Sequence, residues 1–245
     1  MIIMGAEFYG EDFQGADVAP FVGINTFLHL PWVKNHKELL EVKPDVAIIG
    51  EPFDFGTTIR PGARYGPRAI RAASTIPSPP FERFNIETGA DPFGTFKTVD
   101  YGDVNVTPGD VIGSHKSMTL KVKEVLEADG IPVMLGGDHS ITYANVRAFQ
   151  KKFKNIGMIH FDTHADCAPQ GLTGFKYDHG AHIRRIMEMG CLKGKNYSLV
   201  GPRGYWPGRD LYKWMADQDF QWFTMLDVEE LGVDYIAKEI ADRAN

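Results

Sequence analysis

The run Ile156-Gly157-Met158-Ile159-His160-Phe161 leads directly into Asp162-Thr163-His164-Ala165-Asp166, and this junction constrains the fold more than any other stretch. A short apolar run of this kind reads as a buried parallel strand, which needs pairing strands beside it and helices over its faces. Asp162, His164 and Asp166 occupy alternate positions just past the strand's carboxyl end. Side chains two apart on an extended backbone point the same way, so the three are expected to converge where open α/β sheets place their ligands. Taken alone, an Asp-rich stretch after a strand also reads as a surface turn or a helix cap.

A second strand exit repeats the pattern upstream. Ile131-Pro132-Val133-Met134-Leu135 is another short apolar strand, and Gly136-Gly137-Asp138-His139-Ser140 follows it. The paired glycines allow a sharp turn and a close approach to another group, while Ser140 or Asp138 is placed to cap the helix that starts there. By itself this loop also suits a phosphate cradle or a plain strand-to-helix turn. Beside the later cluster, His139 supplies a fourth candidate ligand.

Strand and helix patterns alternate along the chain. Strands are expected at 45–50, 97–100, 131–135, 156–161, 197–201 and 221–225. Helices are expected at 114–129 with Gly130 as C-cap, from Ser140 to about Phe153, and at 181–189, 210–217 and 233–244. That alternation implies an α/β fold with a mainly parallel sheet covered on both faces. A chain of 245 residues with 43% hydrophobic content suffices for one large domain spanning 1–245. Residues 1–43 read as an N-terminal arm with one short helix near Asn35–Glu41, the kind of arm that packs on a neighbouring subunit, so a homo-oligomer is expected. The loop 52–71 carries Arg60, Arg64, Arg68 and Arg71, with Pro67 placed for a first helical turn. Residues 74–97, with Pro77, Pro79, Pro80 and Pro92, read as irregular. The helix at 233–244 has no strand after it, although a crossover helix ordinarily returns the chain to its sheet, so the fold is expected to be truncated there.

A formal charge of -6 without a basic run argues against a nucleic-acid partner. No apolar stretch approaches the roughly 18–20 residues that span a bilayer. Glu7, Glu11 and Asp12 stand where a secretory signal would be basic and then apolar, so a cytoplasmic protein with no membrane contact is expected. Cys167 and Cys191 are too few for a disulfide framework and read as reduced thiols.

Four motifs, in this order, resemble those of the ureohydrolase family of arginases and agmatinases, closest to the agmatinase branch. They are Arg60-Pro61-Gly62-Ala63-Arg64-Tyr65-Gly66-Pro67, Gly136-Gly137-Asp138-His139-Ser140, Phe161-Asp162-Thr163-His164-Ala165-Asp166 and Asp178-His179-Gly180. The resemblance implies a three-layer α/β/α fold and a binuclear manganese site. His139 and Asp166 would bind one ion, His164 the other, and Asp162 would bridge them; ligand type alone leaves nickel open. It also implies a hydroxide that attacks the carbon of a small guanidino compound such as agmatine, guanidinobutyrate or guanidine, releasing urea and an amine. His179 matches the family's acid/base histidine, and Asp178 would either orient it or meet a cationic substrate tail.

The chain departs from the family pattern at Ala181-His182, where agmatinases usually have a small or hydroxylated residue and proline. It also lacks the family's later Ser-Phe-Asp-x-Asp-x-x-Asp-Pro strand, which supplies two more Asp ligands. The expectation is therefore an amidinohydrolase domain, incomplete and inactive as these 245 residues. The competing expectation is a catalytically inactive ureohydrolase-like subunit that binds or assembles.

Overall fold

The computed structural model describes residues 22–75, 84–172, 174–205 and 207–244. Expectations for the start of the arm and for Pro77, Pro79 and Pro80 lie outside them. Contacts divide the chain into two compact units, residues 1–55 with 61–138, and residues 56–60 with 139–245.

The first unit contains α1 (His36–Val42), β1 (Val46–Gly50), α2 (Gly66–Ser74), α3 (Pro92–Thr95), β2 (Thr98–Asp103), α4 (Val111–Glu127) and β3 (Ile131–Leu135). Asn35 caps α1 by accepting the Glu38 N–H at 3.0 Å, as the sequence pattern there suggests. Its strands form a parallel sheet in the order β2-β1-β3. The central strand, β1, holds Ala47, Ile48 and Ile49 nearly inaccessible to solvent. Helix α4 begins at Val111, not at Ser114, because Asp110 accepts the Gly113 N–H at 2.8 Å and acts as its cap. At its other end Asp129, at φ 60°, takes the left-handed turn assigned to Gly130 from the sequence. Gly130 is needed for another reason, since a Cβ there would stand 2.9 Å from the Pro44 carbonyl oxygen.

The glycines after β3 do what their pattern implies. A Cβ on Gly137 would lie 2.1 Å from the Phe53 carbonyl oxygen and 2.7 Å from that of Glu51, so only glycine lets the two strand exits close on each other. The Asp138 N–H then donates to Phe53 at 2.8 Å. Ser140 stands at the N-cap position of the next helix without a side-chain capping bond.

The second unit contains α5 (Ile141–Lys152), β4 (Ile156–Phe161), α6 (His182–Glu188), β5 (Leu192–Val200), α7 (Arg209–Asp217), β6 (Gln221–Phe223), α8 (Met225–Leu231) and α9 (Val233–Ala244). Its parallel sheet runs β4-β5-β6. Ile183 and Ile186 of α6, Leu192, Tyr197 and Leu199 of β5, and Met215 of α7 form its core with Phe220. Among the described residues the strands form two three-stranded parallel sheets with flanking helices, the α/β arrangement expected.

Three local expectations are corrected. Strand β5 starts at Leu192, five residues before Tyr197, because its polar first half pairs at the bottom of β4 through Ile156 and Leu192. The expected strand 221–225 stops at Phe223, since Thr224 and Asp227 form a capping box that starts α8. Strand β4 is not buried on both faces: Ile159 is 53% and Phe161 76% exposed. Among the described residues β4 pairs only with β5, and its open side borders an apolar groove of about 690 Å³ that also touches Ile236 and Ile240 of α9.

In the first unit Arg71 donates from Nε and Nη2 to Asp100 at 2.8 and 2.9 Å and from Nη1 to Asp103. Burial opposes its charge, but the hydrogen bonds and charges of the two aspartates outweigh burial and raise its pKa. Arg71→Met would leave the buried Asp100 carboxylate without a counter-ion, and loss of a buried partner costs about 3–5 kcal/mol. Urea denaturation of this variant should show a loss of that size, and a loss below about 1 kcal/mol would mean that the Phe27 and Gly102 N–H groups, which donate to Asp100 at 2.7 and 2.8 Å, suffice without the arginine.

Candidate metal and acid–base site

The site assembles entirely within the second unit from three backbone junctions: the residue preceding Ser140 and α5, the loop leaving β4, and the start of α6. His139 Nδ1 lies 3.0 Å from Asp166 Oδ2 and 3.2 Å from Asp162 Oδ2. Asp162 faces two ways. Its Oδ2 looks toward His139 and, at 3.5 Å, His160 Nε2, while its Oδ1 accepts the His164 N–H at 2.7 Å and lies 3.6 Å from His164 Nδ1. Asp166 is reached by a bend of the loop, not by continued extension, since its φ is 46°. Simple alternation therefore fails past Asp162: Asp162 and Asp166 meet at His139, whereas the His164 side chain is 55% exposed and stands to one side.

Two further histidines complete the cluster. One ligand atom each from His139, His160, Asp166 and His182 lies within 4.8 Å of the others, a group able to hold a metal ion. The rings pack closely, with centroids of His139 and His182 4.0 Å apart and those of His139 and His160 5.0 Å apart. His160 is legible in retrospect, because it sits two residues before Asp162 on the same face of an otherwise apolar strand. His182 offered only its departure from the family's proline.

The surroundings keep both imidazoles neutral. Burial holds His160 down to about 4 from an ordinary 6.5; the neighbouring His139 acts in the same direction, and the Asp162 and Asp166 carboxylates oppose it. His160 Nδ1 shares a 2.7 Å hydrogen bond with the buried Tyr197 hydroxyl. Burial, then His139 and His160, hold His182 well below its ordinary value. Its Nδ1 faces the His179 carbonyl oxygen at 2.8 Å, so that atom carries the proton. Neutral imidazoles beside carboxylates form a donor set suited to a divalent transition metal. Cys167, next in sequence to Asp166, is fully buried outside this group of ligand atoms, and burial pushes its thiol up to about 12.

A second constellation adjoins this one through that carbonyl. Thr58 Oγ1 lies 2.8 Å from His179 Nε2 and donates to Asp178 Oδ2 at 3.2 Å. A hydroxyl has one hydrogen, so with it committed to Asp178 the oxygen accepts from His179 Nε2–H. The His179 N–H also donates to the Gly56 carbonyl at 3.1 Å. Asp178, 7% exposed, accepts the Gly180 N–H at 2.7 Å with its other oxygen. A Cβ at Gly171 would strike the Asp178 carboxyl carbon at 2.4 Å, so a glycine opposite makes room for it. Sequence reading missed Thr58, which stands beside Gly56 in a loop noted only for its arginines.

A model of the arginase family matches residues 44–245. The mitochondrial agmatinase of Gallus gallus is 37% identical over 83% of the chain, and the mitochondrial guanidino acid hydrolase of Homo sapiens 38% identical over 83%. The matched regions span 57% and 55% of those proteins. The proclavaminate amidinohydrolase of Streptomyces clavuligerus is 31% identical over 91% of the chain and 69% of its own length. A solved structure of the proclavaminate amidinohydrolase of that organism superposes with a TM-score of 0.78, covering 93% of this chain and 72% of that one.

The neutral buried state of His160 carries a stability cost in acid. The unfolded imidazole titrates near 6.5 and the folded one near 4, so between these values the unfolded chain binds the extra proton and stability falls as pH falls. This one group removes about 1.4 kcal/mol per pH unit across that window. The urea midpoint of chelator-treated protein should drop between pH 6.5 and pH 4.5 and drop less in His160→Phe, where the buried His182 still contributes; an unchanged wild-type midpoint would contradict the buried neutral assignment.

Proposed function

The chain belongs to the arginase family, and from that premise we propose that it is a metal-dependent amidinohydrolase. It would hydrolyse a small guanidino compound, of the class of agmatine, guanidinobutyrate or guanidine, to urea and an amine. The reading is carried by the convergence of His139, Asp162 and Asp166 beside the Thr58-linked His179. Manganese fits a set that includes two carboxylates, with His139 and Asp166 holding one ion, His164 the other and Asp162 shared between them. The divided surroundings of Asp162, with His139 against one oxygen and His164 against the other, support the shared role.

A guanidinium carbon is resonance-stabilised and resists attack by neutral water. Bound divalent ions supply the lowered water pKa and the charge stabilisation that such an attack requires. Addition of water to that carbon and cleavage of one C–N bond leave a nitrogen that must gain a proton. His179 is placed to move it, since Thr58 fixes Nε2 as a donor and leaves Nδ1 to exchange a proton with the reacting groups. Asp178 acts through Thr58: with both oxygens engaged by Gly180 and Thr58, it favours holding His179 over meeting a substrate tail.

Urea release by the natural, manganese-loaded protein tests the reading. His179→Ala should keep its metal and slow turnover by roughly 10²–10⁴-fold. Asp162→Ala should lose both ions, because one carboxylate oxygen is removed from each. Absence of urea release from every guanidino compound of this class, with metal bound, would favour a binding or assembly subunit instead.

A further inference from the structure

We infer that His182 is itself a metal ligand, joining through Nε2 the ion that His139 and Asp166 hold; this rests on the metal-hydrolase reading above. Three observations meet at this residue. First, the side chain is 1% exposed, and its Nε2 is buried without a hydrogen-bond partner. An isolated buried polar atom costs stability unless something compensates it. Second, the hydrogen bond from Nδ1 to the His179 carbonyl fixes the tautomer, so the unpartnered Nε2 carries a lone pair and no proton. Histidines that bind metals are commonly oriented in this way, with the far ring nitrogen donating to a backbone carbonyl. Third, the ring lies against that of His139 with centroids 4.0 Å apart, its Nδ1 edge is 3.8 Å from Asp166 Oδ2, and one nitrogen of the ring falls within 4.8 Å of ligand atoms of His139, His160 and Asp166.

The backbone holds His182 for this purpose. It is the first residue of α6, and the next residue, Ile183, donates its N–H to the Asp166 carbonyl at 3.0 Å. The same contact ties the loop after β4 to the start of α6, so Asp166 and His182 are positioned as one piece. The His182–His179 hydrogen bond joins the ion to the acid/base histidine, so ion binding and the placement of His179 are linked through one imidazole. The extra imidazole also alters metal preference. Carboxylate-rich sites suit manganese, whereas each added imidazole favours nickel, cobalt and zinc.

The test uses the natural protein, stripped with a chelator and reloaded with Co²⁺. X-ray absorption should count one imidazole fewer per chain in His182→Ala than in wild type, and calorimetry should show Co²⁺ affinity weakened by at least roughly tenfold, the lower end of what loss of a supporting residue costs. Affinity for Mn²⁺ should fall less than affinity for Co²⁺. An unchanged imidazole count would overturn the assignment even if affinity fell, because a residue that only positions others leaves the count intact. Should His182→Ala fail to fold, ¹⁵N-histidine spectra of wild type answer the same question: the His182 Nε2 resonance must move on adding diamagnetic Zn²⁺, and a stationary resonance overturns the inference. A protein that binds no ion overturns it as well. Urea release with no role for His182 defeats this inference alone, whereas metal ligation by His182 without urea release defeats only the proposed activity.

Discussion

The second unit is organised around the crowding of imidazoles and carboxylates at the end of β4. His139, His160 and His182 are gathered against Asp162 and Asp166, with His160 and His182 almost wholly removed from water. Such a collection is costly in isolation, since buried imidazoles lose hydration and neighbouring carboxylates repel one another. It persists because every neighbouring element contributes a restraint. Tyr197 of β5 engages His160, Ile183 of α6 grips the Asp166 carbonyl, and the His179 carbonyl orients His182. A divalent cation is the natural complement to this arrangement, and under the proposed reading the cluster's strain and its use have the same source.

The apolar core serves that placement directly. Ile183 and Ile186 pin α6 against Leu192, Tyr197 and Leu199 of β5, so the register of β5 beside β4 decides how His160, Tyr197 and His182 meet. The pairing of Met158 with Tyr197 and of His160 with Leu199 places Tyr197 two residues before the partner of His160 on the neighbouring strand, on the same face and within reach of His160. A one-residue slip would turn His160 to the opposite face and dismantle the site. Function in the proposed sense is therefore sensitive to packing well away from any reacting atom.

The surroundings of His179 depend on a different set of contacts. Thr58 comes from a short segment, residues 56–60, that belongs with the second unit although it lies far from it in sequence. Its single hydroxyl both accepts from His179 and donates to Asp178, which sets the protonated nitrogen of His179. Asp178, read from sequence as a candidate for the substrate's tail or for orientation, is buried with one oxygen on Thr58 and the other on the Gly180 N–H.

Apolar periodicity and turn chemistry suffice to place the strands at β1, β3 and β4 and the helices that follow them, because those signals are local. The caps at Asn35, Asp110 and the Thr224–Asp227 pair are likewise local signals. Motif spacing points to His139, Asp162, His164 and Asp166 as candidates, and the family resemblance adds His179. Only the tertiary structure decided that Asp166 turns back through a left-handed residue, that His164 stands aside, that β4 is exposed on one side, and that Thr58, His160 and His182 enter the site. The physical reason is that these outcomes depend on contacts between segments distant along the chain, such as Thr58 with His179 and His139 with His182. No residue's own preferences, nor those of its near neighbours, encode a meeting of that kind.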